Sequence, residues 1–174
     1  MLAKKTSTIF QDHMPGNICF GCGKNTKNGL HIKSYWNGKE AECKWRPKDN
    51  HQGWSGIMNG GIIATIIDCH CMGTAMAYAY KKENRSLGSE PEYRYATGTI
   101  KIKYLSPTPN KSVRLSAQIK SYSEKKILIT CDLLFENKIT VSAEVIAFRV
   151  YDSSSPKKKQ FCTLVCGNII DSTL

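Results

Sequence analysis

Acidic residues are scarce in this chain. Fourteen Asp and Glu stand against 25 Lys and Arg, which leaves a net charge of +11 over 174 residues. Such an excess favours polyanionic partners (nucleic acid, an acidic membrane or a phosphorylated small molecule), yet a merely basic, soluble surface satisfies it equally. Part of it is local, in Lys4-Lys5 and Lys157-Lys158-Lys159. Long apolar runs are missing too. The most apolar stretch, at about 60 to 80, is interrupted by Asp68 and His70 and reads as no membrane span. The N-terminus, MLAKKTSTIFQDHM, has no apolar run of export-signal type. There are no internal repeats, and no paired-aromatic or helix-turn-helix pattern of a nucleic-acid binder. What remains is one globular domain, 41% hydrophobic and 22% charged, expected in the cytoplasm.

Cysteine is plentiful: eight, at 19, 22, 43, 69, 71, 131, 162 and 166. With no export signal, and with Cys69 and Cys71 inside a helical stretch, reduced thiols are expected rather than disulfides. Cys19 and Cys22 form a C-x-x-C, half of a zinc site, but a second pair at suitable spacing is missing. His13, His31 and Cys43 could complete it, or Cys162 and Cys166 if the tail folds back. A structural turn is the preferred reading, and no metal is assigned. Cys69 reads as a small core hydrophobe.

The densest chemical signal is GIMNGGIIATIIDCHCMG, residues 56 to 73. A Gly pair at a helix start leaves unpaired N–H groups where a carbonyl oxygen can approach. An Asp two turns into apolar surroundings is costly unless it is paired or used. Gly60 is therefore a candidate oxyanion donor and Asp68 a candidate general base, the parts needed to hydrolyse an acyl group. The competing readings are close helix–strand packing for the glycines and a capped buried carboxylate for Asp68. His70 and Cys71 do not form a nucleophile pair, because adjacent helical residues point about 100° apart. Gly60 and Asp68 lie about 12 Å apart along the axis, too far to act on one carbonyl. If both act, two antiparallel copies of the helix must face each other in a dimer.

Around this helix the pattern is β. Leu30 to Trp36 and Glu40 to Arg46 alternate and flank Asn37-Gly38. Pro47 to Met58 reads as a loop. Four strand-like runs follow: Thr97 to Leu105, Ser112 to Ser121, Lys126 to Phe135 and Ile139 to Val150. Their short connections predict antiparallel neighbours in sequence order. A helix apolar nearly all round needs a sheet wrapped about it. The expected fold is therefore α+β, a curled antiparallel sheet of about six strands around one long buried helix, spanning 19 to 152. Residues 1 to 18 are expected to be an N-terminal arm and 153 to 174 a basic tail.

These pieces together resemble a known family. CFGCG (19 to 23), HQGWSGIMNGGIIATIIDCHCMG (51 to 73), TIKIKYLSPTP (99 to 109) and the strands to Tyr151 are similar to the hotdog-fold thioesterases of the phenylacetyl-CoA-pathway type. The Cys-Phe-Gly-Cys start is similar to one subgroup of them. The match covers roughly three quarters of the chain in order. The resemblance implies acyl-CoA hydrolysis by a homodimer or a tetramer of two such dimers, with no cofactor beyond the coenzyme A of the substrate. It implies that the Gly60 N–H polarises the thioester carbonyl while Asp68 of the partner subunit activates water or attacks directly. Thr97, with Thr99 second, matches the hydroxyl that places the water. Where the family has His-Gly-Gly, this chain has Asn59-Gly60-Gly61; Asn hydrogen-bonds but cannot become a cation. His51 and Gln52 would line the thioester site with Gly61, or serve as polar turn residues. The alternative function is a non-catalytic hotdog protein that binds acyl-CoA or acyl chains, with Asn59 as its signature. A third reading is a basic adaptor for nucleic acid or a membrane surface, without preference for acyl-CoA.

Overall fold

The computed structural model describes residues 8 to 155. Its strands are β1 (Ser34–Trp36), β2 (Ala41–Trp45), β3 (Gln52–Trp54), β4 (Ile57–Met58), β5 (Tyr93–Tyr104), β6 (Val113–Tyr122), β7 (Lys126–Phe135) and β8 (Lys138–Asp152). One 23-residue helix, α1 (Gly60–Lys82), lies between β4 and β5. Six strands form one antiparallel sheet in the order β1-β2-β6-β7-β8-β5, and β3 pairs with β4 in a separate hairpin. The inner face of the sheet carries Ala41 and Cys43, Leu115, Ile127, Ile129 and Leu133, and Val141 and Val145, all fully buried. Period-two alternation puts those residues on one face. They close over Ile63, Ile66, Ile67, Cys71, Ala75 and Ala79 of α1. This is the curled sheet around a buried helix that the hydrophobic pattern requires. Each buried Ile contributes on the order of 1.5–3 kcal/mol to holding the two together. By length and composition α1 could cross a membrane, but 67% of its most apolar window is buried inside this fold.

Both ends of α1 are stopped chemically. Asn59 is the N-cap, its side chain accepting from the N–H groups of Gly61 and Ile62. At the other end the Glu83 N–H is shared between the carbonyls of Ala79 and Tyr80, the Asn84 N–H returns to Lys81 O, and Lys81 and Lys82 complement the negative end of the helix dipole.

Three expectations about the local structure change. Strands β5 and β6 are not neighbours: β5 pairs with β8, while β6 lies between β2 and β7. The connector carries Pro107 and Pro109, which lack N–H groups for a ladder. It is fastened across the end of the sheet instead, with Thr108 O accepting from Met58 N–H at 2.9 Å and the Asn110 N–H donating to Gly56 O at 2.8 Å. The Thr108 and Thr140 hydroxyls meet at 2.8 Å. Residues 30 to 33 are not strand, because the Leu30 and Ile32 N–H groups bond to Phe20 O and Gly21 O in the CFGCG turn. Pro47 to Met58 is not plain loop. A short 3-10 turn, Asp49–His51, leads into the β3–β4 hairpin.

The segment expected to be an arm enters the core in part. Phe10–His13 form a 3-10 turn, with Phe10 and Gln11 buried. Gln11 Nε2 donates to Ser34 Oγ at 2.9 Å, and the Ser34 N–H donates to Gln11 Oε1 at 2.7 Å. Ser34 Oγ lies 2.8 Å from His70 Nδ1. The chain Gln11–Ser34–His70 thus engages Nδ1 of the ring, while Nε2 is buried with no hydrogen-bond partner among the described residues. His70 is fully buried, and burial pushes its pKa down to about 4, the Ala41 backbone, Glu40 and Glu42 offsetting this only in part. Most of the tail, including Cys162 and Cys166, lies outside the described residues.

A histidine that folds neutral below its ordinary 6.5 takes up its proton more readily when unfolded. Its contribution is therefore present above about pH 6.5 and is lost as the pH falls towards 4. Denaturant unfolding at stepped pH should show the wild type losing up to roughly 3 kcal/mol over that window. His70→Gln should flatten that slope; an unchanged slope would remove His70 as its source.

Candidate active site

Two groups of candidate residues sit at two depths of α1. The first surrounds its N-terminus. Asn59 Oδ1 accepts from Gly61 N–H at 2.8 Å and from Ile62 N–H at 3.2 Å. Of the three N–H groups at the helix start that have no carbonyl four residues back, this cap takes two and leaves that of Gly60. The Ile63 N–H already returns to Asn59 O at 3.1 Å. Gly60 O accepts from the Tyr104 hydroxyl at 2.9 Å, which ties the helix start to the end of β5. A Cβ at Gly60 would still clear Tyr104 Oη by 3.5 Å.

His51 and Gln52 belong to the same group. His51 O accepts the Asn59 N–H at 2.8 Å. The His51 ring stacks on Trp45 with centroids 5.3 Å apart, and its Nδ1 accepts from Lys48 N–H at 3.0 Å. Burial, then the Lys48 charge, lowers its pKa. Gln52 uses both ends of its amide in the hairpin, Oε1 accepting from Gly56 N–H at 2.5 Å and Nε2 donating to Asp49 O at 3.0 Å. The His51 carbonyl thus positions Asn59, and the Gln52 side chain ties the turn before it together. Trp54, at the tip, is 83% exposed.

The second group is Asp68 with Thr97. The Thr97 hydroxyl donates to Asp68 Oδ1. Asp68 is half-buried and borders a cavity of about 230 Å³ whose other walls include Cys69, Met72, Met76, Tyr93 and Tyr95. Thr97 reaches Asp68 through an irregularity in β5. The register runs Thr97↔Ala147 and then Thr99↔Ile146, so Gly98 is an extra residue, a bulge. A Cβ on Gly98 would fall 2.3 Å from the Phe148 ring. Seven residues apart on a regular strand, Thr97 and Tyr104 would face opposite ways; the bulge turns both towards α1. Thr99, the second-ranked hydroxyl, is exposed, as are Lys101 and Lys103.

A third cluster borders the same cavity. The CFGCG turn lies on α1 so that Cys19 Sγ is 3.7 Å from Cys69 Sγ. The sulfurs of Cys19, Cys22 and Cys69 all lie within 4.8 Å of one another, near enough to hold a metal ion. The Gly21 N–H donates to Cys19 Sγ and Asn17 Nδ2 to Cys22 Sγ, both at 3.3 Å. Hydrogen bonding from Cys69 first, against burial and with help from Asn17 and Cys19, pulls the Cys22 thiol down to about 6, while Cys69 is pushed up.

Asn59, Gly60, Gly61, His51 and Gln52 therefore cluster together, and Asp68 pairs with Thr97 about two turns away. Sequence reasoning missed the role of Tyr104, although its place on the face opposite Lys101 and Lys103 was a signal. It also took Cys69 as inert, and nothing local in the sequence tells that helix position from its neighbours. The cap assigns Asn59 a measurable role. Asn59→Ala should cost about 1 kcal/mol of stability and roughly 2–4 °C in melting temperature, whereas Asn59→Asp, which keeps an accepting oxygen, should melt close to wild type. Equal losses in the two variants would contradict the cap.

No protein-family model and no curated protein matches the sequence. Solved structures do. A thioesterase superfamily protein from Shewanella loihica shares 30% sequence identity over 69% of this chain and 91% of its own, with a TM-score of 0.56. A phenylacetic acid degradation-related protein from Ralstonia eutropha shares 16% over 68% of this chain and 85% of its own, TM-score 0.54. A Bacillus halodurans protein solved with CoA shares 16% over 74% and 82%, TM-score 0.56. The last two show the fold alone. The first carries more, at an identity and coverage that join with the helix, the sheet order and the motif to one conclusion: the chain belongs to the thioesterase superfamily and has its hotdog fold.

Proposed function

We propose that this protein is an acyl-CoA thioesterase that works as a homodimer. The observation that carries the reading is the Thr97–Asp68 pair, a half-buried carboxylate held by a hydroxyl at the wall of a cavity. Thr97 occupies one carboxylate oxygen and leaves the other for a water. In the reaction that water adds to the thioester carbonyl carbon and gives its proton to Asp68. The carbonyl oxygen, gaining negative charge, accepts from the Gly60 N–H that the Asn59 cap leaves over. Collapse breaks the C–S bond, and the proton on Asp68 passes to the departing CoA thiolate. The CoA bound by the Bacillus halodurans protein of the same fold and this chain's positive charge both support a CoA ester as substrate. Direct attack by Asp68 on the carbonyl carbon uses the same groups.

Distance supports the dimer. Gly60 and Asp68 of one helix are about 12 Å apart, so Gly60 would work with Asp68 of the partner subunit. The surface suits such pairing. Gly61, Ala64, Thr65, Asp68 and Met72, spaced at three to four residues, form a partly exposed stripe on α1. Beside it β5 ends the sheet with a free edge, and Tyr104 and Leu105 are 53% and 57% exposed. A long edge with apolar side chains calls for a covering partner.

Thiol release from a panel of acyl-CoAs, acetyl through long-chain to phenylacetyl and benzoyl, tests the activity and reveals the acyl class. Asp68→Asn should lower kcat by about 10²–10⁴-fold, and Thr97→Val by about tenfold, the scale of one hydrogen bond to a charged group. No turnover across the panel, with CoA esters still bound, would turn the assignment to the non-catalytic binder.

The shared site has its own test. Gly60→Pro removes the donor at the one helical position where proline fits. Refolding it with Asp68→Asn, each inactive alone, gives mixed dimers with one intact site. Activity should return to roughly a quarter of wild type, since half the dimers are mixed and each has one of two sites. No recovery would place both groups in one subunit or neither in the site.

A further inference from the structure

The thioesterase reading uses Asp68 but leaves its neighbour Cys69 and the whole CFGCG turn without a task. We infer that Cys19, Cys22 and Cys69 form a zinc site that pins this turn to α1 at the mouth of the cavity. The inference does not rest on the proposed activity. Zinc held by thiolates at about 2.3 Å in tetrahedral geometry sets its sulfurs about 3.8 Å apart. Cys19 and Cys69 stand at 3.7 Å, and all three sulfurs lie within 4.8 Å of one another. The cluster thus needs adjustments of an ångström or less.

The turn is built for close approach to sulfur. The Gly21 N–H points at Cys19 Sγ, and Asn17 Nδ2 at Cys22 Sγ. Such N–H donors stabilise thiolate charge, and partners of this kind orient metal ligands. Gly21 is there because any Cβ would sit 2.2 Å from Cys69 Sγ; at Gly23 a Cβ would sit 2.2 Å from Thr26 Oγ1 and 2.7 Å from Cys19 O. The Gly23 N–H closes the turn onto Cys19 O at 2.7 Å. Three sulfurs also argue against a simple disulfide, which would join two and strand the third. The half-site of the C-x-x-C motif is completed by neither a second C-x-x-C nor a histidine, but by a helix residue 47 positions further on. The fourth position would open to the cavity that all three cysteines line and be filled by water.

The test uses the full chain, reduced and stripped with a chelator, then dialysed against zinc sulfate and freed of excess metal. One zinc per chain is expected. Cobalt(II) in its place should give the sulfur-to-metal charge-transfer and intense visible bands of a tetrahedral thiolate site. Cys19→Ser, at an exposed position where folding is not at stake, and Cys69→Ser should each weaken zinc binding by more than the roughly 100-fold that loss of an outer partner can cost. Replacing both Cys162 and Cys166 by Ser should leave it unchanged. Failure of the reduced protein to take up zinc or cobalt would overturn the inference, whether or not the thiols oxidise to a disulfide. Full binding in Cys69→Ser, or loss of binding only when Cys162 and Cys166 are replaced, would overturn it too.

Discussion

The burial of α1 inside a single sheet governs nearly everything else in this molecule. A helix apolar on most of its circumference cannot rest on a flat surface, so the strands must curl. A sheet that curls around a helix still ends in two edges, here β1 and β5. The β5 edge runs alongside the one stripe of α1 that the sheet does not cover. Small residues occupy that stripe, Gly61, Ala64 and Thr65, and Asp68 lies among them. The incomplete cover of the core and the candidate chemistry thus have the same origin. The opposite side of the helix shows what full burial demands: His70 is kept neutral, with its Nδ1 joined to Ser34 and Gln11 and its Nε2 buried without a hydrogen-bond partner among the described residues, because burying a charge there would cost far more.

The helix start gives a physical account of Asn59. An N-cap needs a short side chain with an accepting oxygen, and Asn supplies one to two successive N–H groups. The residue that departs from the family pattern is thereby fitted to hold the loop in which Gly60 sits. The β3–β4 hairpin, His51 O and the Tyr104 hydroxyl brace the same turn from three sides. A preorganised N–H donor needs little reorganisation, and these braces would give the Gly60 N–H that property in the proposed reaction.

Much of this could be read from the chain because its signals were local. Alternation in β2, β6, β7 and β8 and the apolar circumference of α1 are short-range patterns, and they located five of the main elements closely. The pairing of β5 was not legible, because a short connector ordinarily joins neighbours and only its fastening to β4 and Thr140 shows that it crosses the sheet end. Gly60 and Asp68 stood out because each is unusual for its surroundings. Thr97 needed the resemblance, since a Thr in a strand is ordinary. The thiol cluster was hidden for a different reason. Cys19 and Cys22 are near in sequence, but Cys69 reaches them only through the approach of the turn to the helix, which no spacing rule describes.

The bulge at Gly98 reaches beyond local geometry. Edge strands are where chains usually accept insertions and deletions, since only one neighbour must stay in register. β5 already carries one such extra residue, and the bulge that absorbs it sets the phase between the two halves. Flattening the bulge with Gly98 kept would rotate one half against the other, so that either Thr97 leaves Asp68 or Lys101 and Lys103 displace Ile102 and Tyr104 against the helix. Losing Gly98 together with the bulge would instead leave Thr97 and Tyr104 six residues apart on one face of a regular strand. The strand therefore has one residue to spare at this point of the rim, and divergence of this domain should include its loss as well as length changes in the loops on either side.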